Sequence, residues 1–460
     1  MRVLLVYPEP DIAPFYCQSP VGLLYLGAAL EGRHEVRLYD ANVDEHSLDR
    51  VVAEFAPDVI GVSFTTGCVK TSFRIAQQFG RAGRIMIAGG FHPTYRPKEC
   101  LDAGFDIVAR GEVEDTLSDF LDNLDSRAPF VKKEFAPPPG YFFRNSDGDY
   151  ADTGIARCVN VDRFVPARHL LPKHYHHRYT HGLLMGSRGC RYSCIFCASG
   201  RTGYRQRDPK NVVDEFEHIV HSEGHAVVHF ADDIFTHDPR WVQEICNEIV
   251  ARKIVCKWSA NSRSDIPAQH WDMFDWMSHA GCEYLLVGIE SGCQESLRVS
   301  RKGISVEKSI PVIQRMKEAG IKVRCNLMVG LPGATYVDNL RSIDLMEAIL
   351  PDQITLSLCT PYPGTGLDKD SALYGIRFKS SDWTALFQRD YISVDAERFA
   401  ELIEFRDIST EEIFRFPETL RQRLKPYGYT PVSENHNSGD RMIKTYLDKP
   451  KLRPTKTRDT

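Results

Sequence analysis

The chain has 460 residues, 42% hydrophobic and 26% charged, an ordinary globular composition that excludes both a single small module and wholesale disorder. Lys and Arg total 57 against 62 Asp and Glu, a net charge of -5, so no global positive field attracts nucleic acid or an anionic membrane. No apolar run approaches the length of a spanning helix, and 13 cysteines without an export signal point to reduced thiols in a cytoplasmic protein, some of them metal ligands.

The first residues, Met1 to Pro8, read as a strand rather than a signal peptide. Four more apolar runs follow, Glu35 to Tyr39, Val59 to Phe64, Arg84 to Ala88 and Asp106 to Ala109, separated by amphipathic stretches. Runs this apolar suit strands buried on both faces and joined by helical crossovers, which predicts a doubly wound five-stranded domain over 1–125. Ligands in such a sheet sit at the carboxyl ends of the strands. The segment 126–181 is rich in turn chemistry, such as Pro137-Pro138-Pro139-Gly140, and reads as a linker. Six strand-helix repeats over 182–366 predict a partial (β/α)6 barrel, with function at its carboxyl-terminal rim. Residues 367–440 form a short C-terminal segment, and the basic stretch 441–460 reads as a flexible tail.

Directly after the first barrel strand stand Cys190, Cys194 and Cys197 in CxxxCxxC spacing. Three thiolates on one tight loop hold three irons of a 4Fe-4S cluster and leave the fourth iron open. Structural zinc wants four ligands, and no second CxxC occurs. Three buried structural cysteines are the bland alternative, against which Gly189 and the polar neighbours argue.

On these residues the sequence resembles the radical S-adenosylmethionine (SAM) superfamily, over roughly Gly182 to Gly366. The resemblance implies that the open iron chelates SAM, that Phe196 lies against its adenine, and that a 5'-deoxyadenosyl radical abstracts hydrogen from substrate. It also implies that Asp232 and Asp233 meet the methionine amino group, although Asp238 nearby suits a helix N-cap. Asn261 and Arg263 end the third strand, where Arg263 is expected to pair with the methionine carboxylate; an ordinary turn fits equally. Glu290 and Ser291 are expected at SAM ribose or carboxylate, and Gly330 in the adenine turn. Tyr362 is the one catalytic candidate, its alternative a packed Pro-Gly turn.

The loops Val21 to Leu26, Gly89 to Thr94 and Arg110 to Glu112 resemble the cobalamin-binding-like domain of a radical SAM subgroup. With neither GxGxxG nor DxHxxG present, a dinucleotide is disfavoured, and His92 is expected to order its turn. Bound cobalamin without a histidine ligand and a cofactor-free domain both stay open, since bulky Phe15, Tyr16 and Gln18 occupy the first loop. The short stretch after Gly366 resembles the diol dehydratases of aminoglycoside antibiotic biosynthesis more than the methylases of the subgroup. The expected reaction is therefore radical dehydration or deoxygenation of a small amino sugar, the alternative cobalamin-dependent C-methylation. A non-enzymatic iron-sulfur sensor is the reading from another class. Expected partners are a small-molecule substrate, a flavodoxin or ferredoxin as electron donor and a reductase acting on the product, with neither membrane nor nucleic acid.

Overall fold

Strands β1 (Arg2–Tyr7), β2 (Glu35–Asp40), β3 (Val59–Ser63), β4 (Ile85–Gly89) and β5 (Ile107–Ala109) lie parallel in the order β2-β1-β3-β4-β5. They belong to a computed structural model that describes residues 1–11, 17–80, 83–124, 136–145, 147–200, 202–382, 396–431 and 447–448. The crossovers carry helices α1 (Val21–Leu30), α2 (Leu48–Phe55), α3 (Val69–Phe79), α4 (Phe91–Tyr95) and α5 (Pro97–Asp102), with α6 (Leu117–Asp122) after the last of these strands. This is the doubly wound arrangement the apolar runs imply. α1 is apolar nearly all round, as a helix covered on both sides must be: the sheet packs on one side and Leu170 on the other. Gly27 permits that contact, since a Cβ there would sit 2.5 Å from Leu170 Cδ1.

The segment read as a linker does more than connect. β6 (Tyr141–Arg144) and β7 (Tyr150–Asp152) extend the sheet antiparallel beyond β5. Tyr141, Phe142 and Phe143 are all buried there, an apolar run too short to stand out among turn residues.

The second sheet holds β8 (Gly182–Leu184), β11 (Val227–Phe230), β12 (Lys257–Ser262), β13 (Cys282–Glu290), β14 (Lys322–Val329) and β15 (Gln353–Leu358) in chain order, all parallel. Between β8 and β11 a small hairpin, β9 (Ser187–Arg188) and β10 (Arg205–Gln206), closes the base of the cysteine loop. Six parallel strands in sequence make the expected partial barrel, and among the described residues no pairing joins β8 to the far edge. Outside run α7 (Pro209–His221), α8 (Pro239–Ala251), α9 (Asp272–His279), α10 (Gln294–Val299), α11 (Val306–Glu318) and α12 (Tyr336–Ile349). Their starts are written in the sequence: Asp208, Asp238 and Ser305 cap α7, α8 and α11, and Thr335 with Asp338 forms a capping box on α12. Alternate residues of β14, Val323, Cys325 and Leu327, join the core beneath the helices, which turns Arg324 and Asn326 to the barrel interior.

Residues after the barrel pack onto it. Ile376–Phe378 pairs with Ile403–Phe405, and the helix Thr410–Leu424 buries Ile413, Phe416, Leu420 and Leu424 completely. At about 1.5–3 kcal/mol each, those four side chains make this helix part of the barrel core rather than an appendage. Of the stretch read as a flexible tail only Leu447–Asp448 is described, and it pairs with β15 instead of projecting into solvent; the rest lies outside the described residues. No helix among the described residues is long and apolar enough to cross a membrane.

Candidate active site at the cysteine loop

Gly189 opens the loop with φ +77°, and a Cβ there would lie 2.1 Å from Gly203 O, so only glycine allows the chain to turn from β9 into the cysteines. The loop is then fastened on three sides. Cys190 N–H donates to Thr202 Oγ1 (3.2 Å), Ile195 N–H to Ser300 O (3.1 Å), and Leu367 N–H to Ile195 O (3.0 Å). Cys190, Cys194 and Cys197 are unbridged, the first buried and the others half-buried. Among the described residues the one set of metal-ligand atoms lying within 4.8 Å of each other is elsewhere, at His176, Glu223 and His225. The three sulfurs thus do not all lie within 4.8 Å of one another, wider than a single tetrahedral zinc with Zn–S about 2.3 Å requires. Burial raises all three thiols, Cys197 to about 11, while Lys302 and Arg263 pull Cys194 the other way. The positive charge of bound iron is what holds such buried sulfurs as thiolates.

The strand ends around the loop divide the expected residues into two groups. Asp232 turns inward: it is 1% exposed, accepts the Gly186 N–H (2.9 Å) and the Ser187 hydroxyl, and so ties β11 to β8. Burial pushes its carboxyl up to about 6. Asp233 faces solvent beside Ser199, close enough to raise the Cys190 and Cys197 thiols, and is the acid of the pair open to a ligand. Asn261 donates to Asp232 O (2.8 Å) and so braces that turn. Arg263 already has a carboxylate: two nitrogens bond Asp265 at 2.8 Å, one also reaches Lys302 O, and the guanidinium lies 3.5 Å from the Tyr192 ring centre. It supports the cysteine loop from below, and the expected pairing with a methionine carboxylate competes with Asp265. Asp238 caps α8, as its position suggested.

Glu290, Lys302 and Phe196 form the second group. Glu290 sits at a register shift of β13 with φ +66°, a conformation non-glycine residues seldom hold, and Lys302 Nζ donates to it at 2.8 Å. The same ammonium lies 5.9 Å from the Phe196 ring centre. Ser291 is buried and accepts the Cys293 N–H (3.0 Å). Gly330, at φ +84°, has open space up to the Phe405 ring, 3.5 Å from where a Cβ would stand. Tyr362 is half-buried, and its carbonyl accepts the Thr365 N–H and hydroxyl. Lys302 escaped sequence reasoning because it follows α10, the one barrel helix not recognised; an isolated lysine next to glycine carries no motif.

The first domain presents its strand ends to this loop. Tyr95 donates to Ala198 O (3.3 Å) and its ring fills the space beside Gly364, while Arg96 pairs with Asp368. Glu114 pairs with Arg188 (2.7 Å) and Glu112 with Arg205. Behind these contacts an apolar recess with an empty volume of about 520 Å3, open space included, is lined by Gly61, Gly89, Gly90, Gly111, Leu23 and Val59, among others. Glycine is required at two of these: a Cβ on Gly90 would be 2.6 Å from Phe64 O, and one on Gly111 2.3 Å from Ala156 O. The recess lies between the sheet and α1 and α6, and Ser63, Gly89, Gly90 and Gly111 carry its edge to the carboxyl ends of β3 to β5, where an open α/β sheet takes its ligands. Among the described residues its lining holds no histidine: His92 is fully buried, stacked on Phe64, with Nδ1 3.3 Å from Thr66 Oγ1, where it orders its turn. Gln18 contacts His181 (3.4 Å); Phe15 and Tyr16 lie outside the described residues.

A loop built for a cluster, at the mouth of an open parallel barrel and facing the strand ends of a second α/β domain, is the layout of an iron-sulfur enzyme with two cofactor-binding units. Residues 184–346 match the family model of the radical SAM superfamily and residues 13–121 that of the B12 binding domain. The chain carries a radical SAM domain with a B12 binding domain ahead of it; its cofactors are a 4Fe-4S cluster and SAM. An uncharacterized methyltransferase of Pyrococcus horikoshii is 26% identical over 80% of this chain and 82% of its own length. The anaerobic magnesium-protoporphyrin IX monomethyl ester cyclase of Cereibacter sphaeroides is 26% identical over 80% of this chain, which spans 63% of that longer protein. The solved structure of the methyltransferase TsrM from Kitasatospora setae, with cobalamin and cluster bound, matches with a TM-score of 0.71 at 19% identity over 93% of this chain and 91% of that one.

Proposed function

We propose that this radical SAM enzyme is a cobalamin-dependent methyltransferase acting on a small organic substrate held between the barrel mouth and the B12 binding domain. The observation that carries the reading is the joining of the two units: the glycine-lined recess opens behind loops that dock directly on the cysteine loop. Methyltransferases among the relatives support it, although a cyclase is also among them. Dehydration rests on the shortness of the chain after the barrel. That argument weakens because the segment completes the barrel core. Bound together, the cofactors would supply a reductively cleaved sulfonium and a methyl carrier.

The residues of this chain then divide the work. Cys190, Cys194 and Cys197 hold the cluster, and Asp233 offers a carboxylate to the SAM ammonium. Phe196 and the Gly330 turn give apolar surface and backbone to the adenine, while Glu290, fixed by Lys302, presents its carboxylate near the ribose. Tyr362, half-buried in the turn after β15, is the substrate-contacting candidate. Incubating the reconstituted protein with methyl-labelled SAM, hydroxocobalamin and reductant against a panel of small metabolites tests the reading. A product carrying the label supports it, whereas loss of water from a substrate without label incorporation overturns it.

A further inference from the structure

On the far side of the barrel from the cysteine loop, three metal-ligating side chains converge. His176 lies in the short helical turn Lys173–Arg178 of the connecting segment; Glu223 and His225 lie between α7 and β11, at the amino-terminal end of the strands. His176 Nδ1 and His225 Nε2 each stand 3.5 Å from the same atom, Glu223 Oε2. Ligand atoms about 3.4 Å apart are what a tetrahedral zinc with bonds near 2.0–2.1 Å requires. The side chains are 9%, 3% and 8% exposed, so this is a buried constellation rather than a surface coincidence. Two further observations point inward. His176 Nδ1 is buried without a hydrogen-bond partner. Gly182 leaves room for His225, since a Cβ there would approach its ring to 3.3 Å.

We propose that His176, Glu223 and His225 bind a zinc-class divalent cation that fastens the connecting segment to the base of the barrel.

The local charges accommodate it. Arg168 contacts both oxygens of Glu223 (3.1 and 3.3 Å) but also pairs with Glu215, and Arg207 pairs with Glu215 and Asp162. Two guanidiniums therefore meet three carboxylates, and one negative charge is left for a cation. Burial lowers both His176 and His225, which keeps the imidazoles neutral with a lone pair to donate. Two imidazoles and one carboxylate select zinc over calcium or magnesium, and a water completes the fourth position.

Full-length protein with its cluster reconstituted is equilibrated with zinc chloride, desalted and analysed for metals by mass spectrometry. The expected result is about one zinc per chain beyond the cluster iron. The variant with Cys190, Cys194 and Cys197 all changed to Ala should lose iron and keep zinc. His225→Gln should weaken zinc binding by more than about 100-fold with iron unchanged, since even outer-shell losses cost 10–100-fold. Cobalt chloride used in place of zinc should give a visible absorption band that His176→Gln abolishes. Zinc below stoichiometry in folded wild type, or zinc that leaves with the cysteines, overturns the assignment without reference to any variant of the histidines.

Discussion

Lys302→Met isolates the electrostatic design of the radical site. The Lys302 ammonium and Glu290 carboxylate are 8% and 11% exposed and 2.8 Å apart. Removing one partner leaves a buried carboxylate on a backbone already held at φ +66°, and breaking a buried pair this way costs about 3–5 kcal/mol. An exposed pair would cost less than about 1 kcal/mol, so the two cases separate cleanly. Hydrogen exchange monitored by mass spectrometry reads the effect locally. Peptides spanning residues 287–293 and 300–304 should exchange about 100- to 3,000-fold faster, while peptides of the first sheet are unchanged. Lys302→Met combined with Glu290→Gln removes both charges and should recover more than half of the protection. Acceleration below about tenfold, or a double variant no better than the single one, would refute the claim that the buried pair holds this strand end.

Four shorter expectations follow from other parts of the site. Cys190→Ala, Cys194→Ala and Cys197→Ala should each abolish cluster reconstitution measured as iron content, whereas Cys246→Ser, buried under the barrel helices, should not. Gly111→Ala places a Cβ 2.3 Å from Ala156 O at φ +84°, and should weaken cobalamin retention on gel filtration without loss of iron. Tyr95→Ala removes the contact with Ala198 and Gly364, so label transfer to product should fall much further than 5'-deoxyadenosine formation. Asp232 has its carboxyl raised from 3.8 to about 6, so the folded state binds the extra proton and stability declines as pH rises between these values, by at most about 3 kcal/mol. Denaturation midpoints from pH 4 to 7 should show that decline in wild type and a flatter profile in Asp232→Asn.

Both sheets were legible because buried parallel strands are apolar on both faces, and runs such as Val59 to Phe64 and Leu285 to Ile289 carry that pattern. The cysteine loop was legible because three soft metal ligands crowded between Cys190 and Cys197 serve little purpose in a reduced protein except to share a metal centre. What stayed hidden depends on contacts distant in sequence. Asp232 and Asp233 are neighbours of the same chemistry, and only the path of the turn after β11 decides that one is buried against Gly186 while the other is exposed. Arg263 offered a cation at a strand end, but Asp265 two residues on takes it. The helix Thr410–Leu424 was missed because Pro417 breaks its pattern in sequence, although the capping box Ser409/Glu412 marks its start.

The seam between the two domains bears on how methyl transfer could be organised. A flexible linker would leave the distance between two cofactors to chance, and chemistry between them would then depend on rare encounters. Here the seam pairs a buried ion pair with an apolar patch: Arg188 and Glu114 are each 7% exposed, Arg188 also lies 4.4 Å from the Tyr25 ring centre of α1, and Val21 and Tyr25 pack on Leu183 of β8. Buried ion pairs contribute little net stability against an apolar equivalent, yet displacing one partner exposes a large penalty, so they fix register better than they add affinity. An apolar patch alone lets two surfaces slide, whereas the directional pairs beside it tolerate one orientation. Arg205 reinforces this by bonding Glu112 from β10, the strand that closes the cysteine loop. The residues that shape the cluster site and those that orient the B12 binding domain are therefore one network, and charge reversal at Glu114 alone should uncouple transfer from cleavage while leaving each cofactor bound.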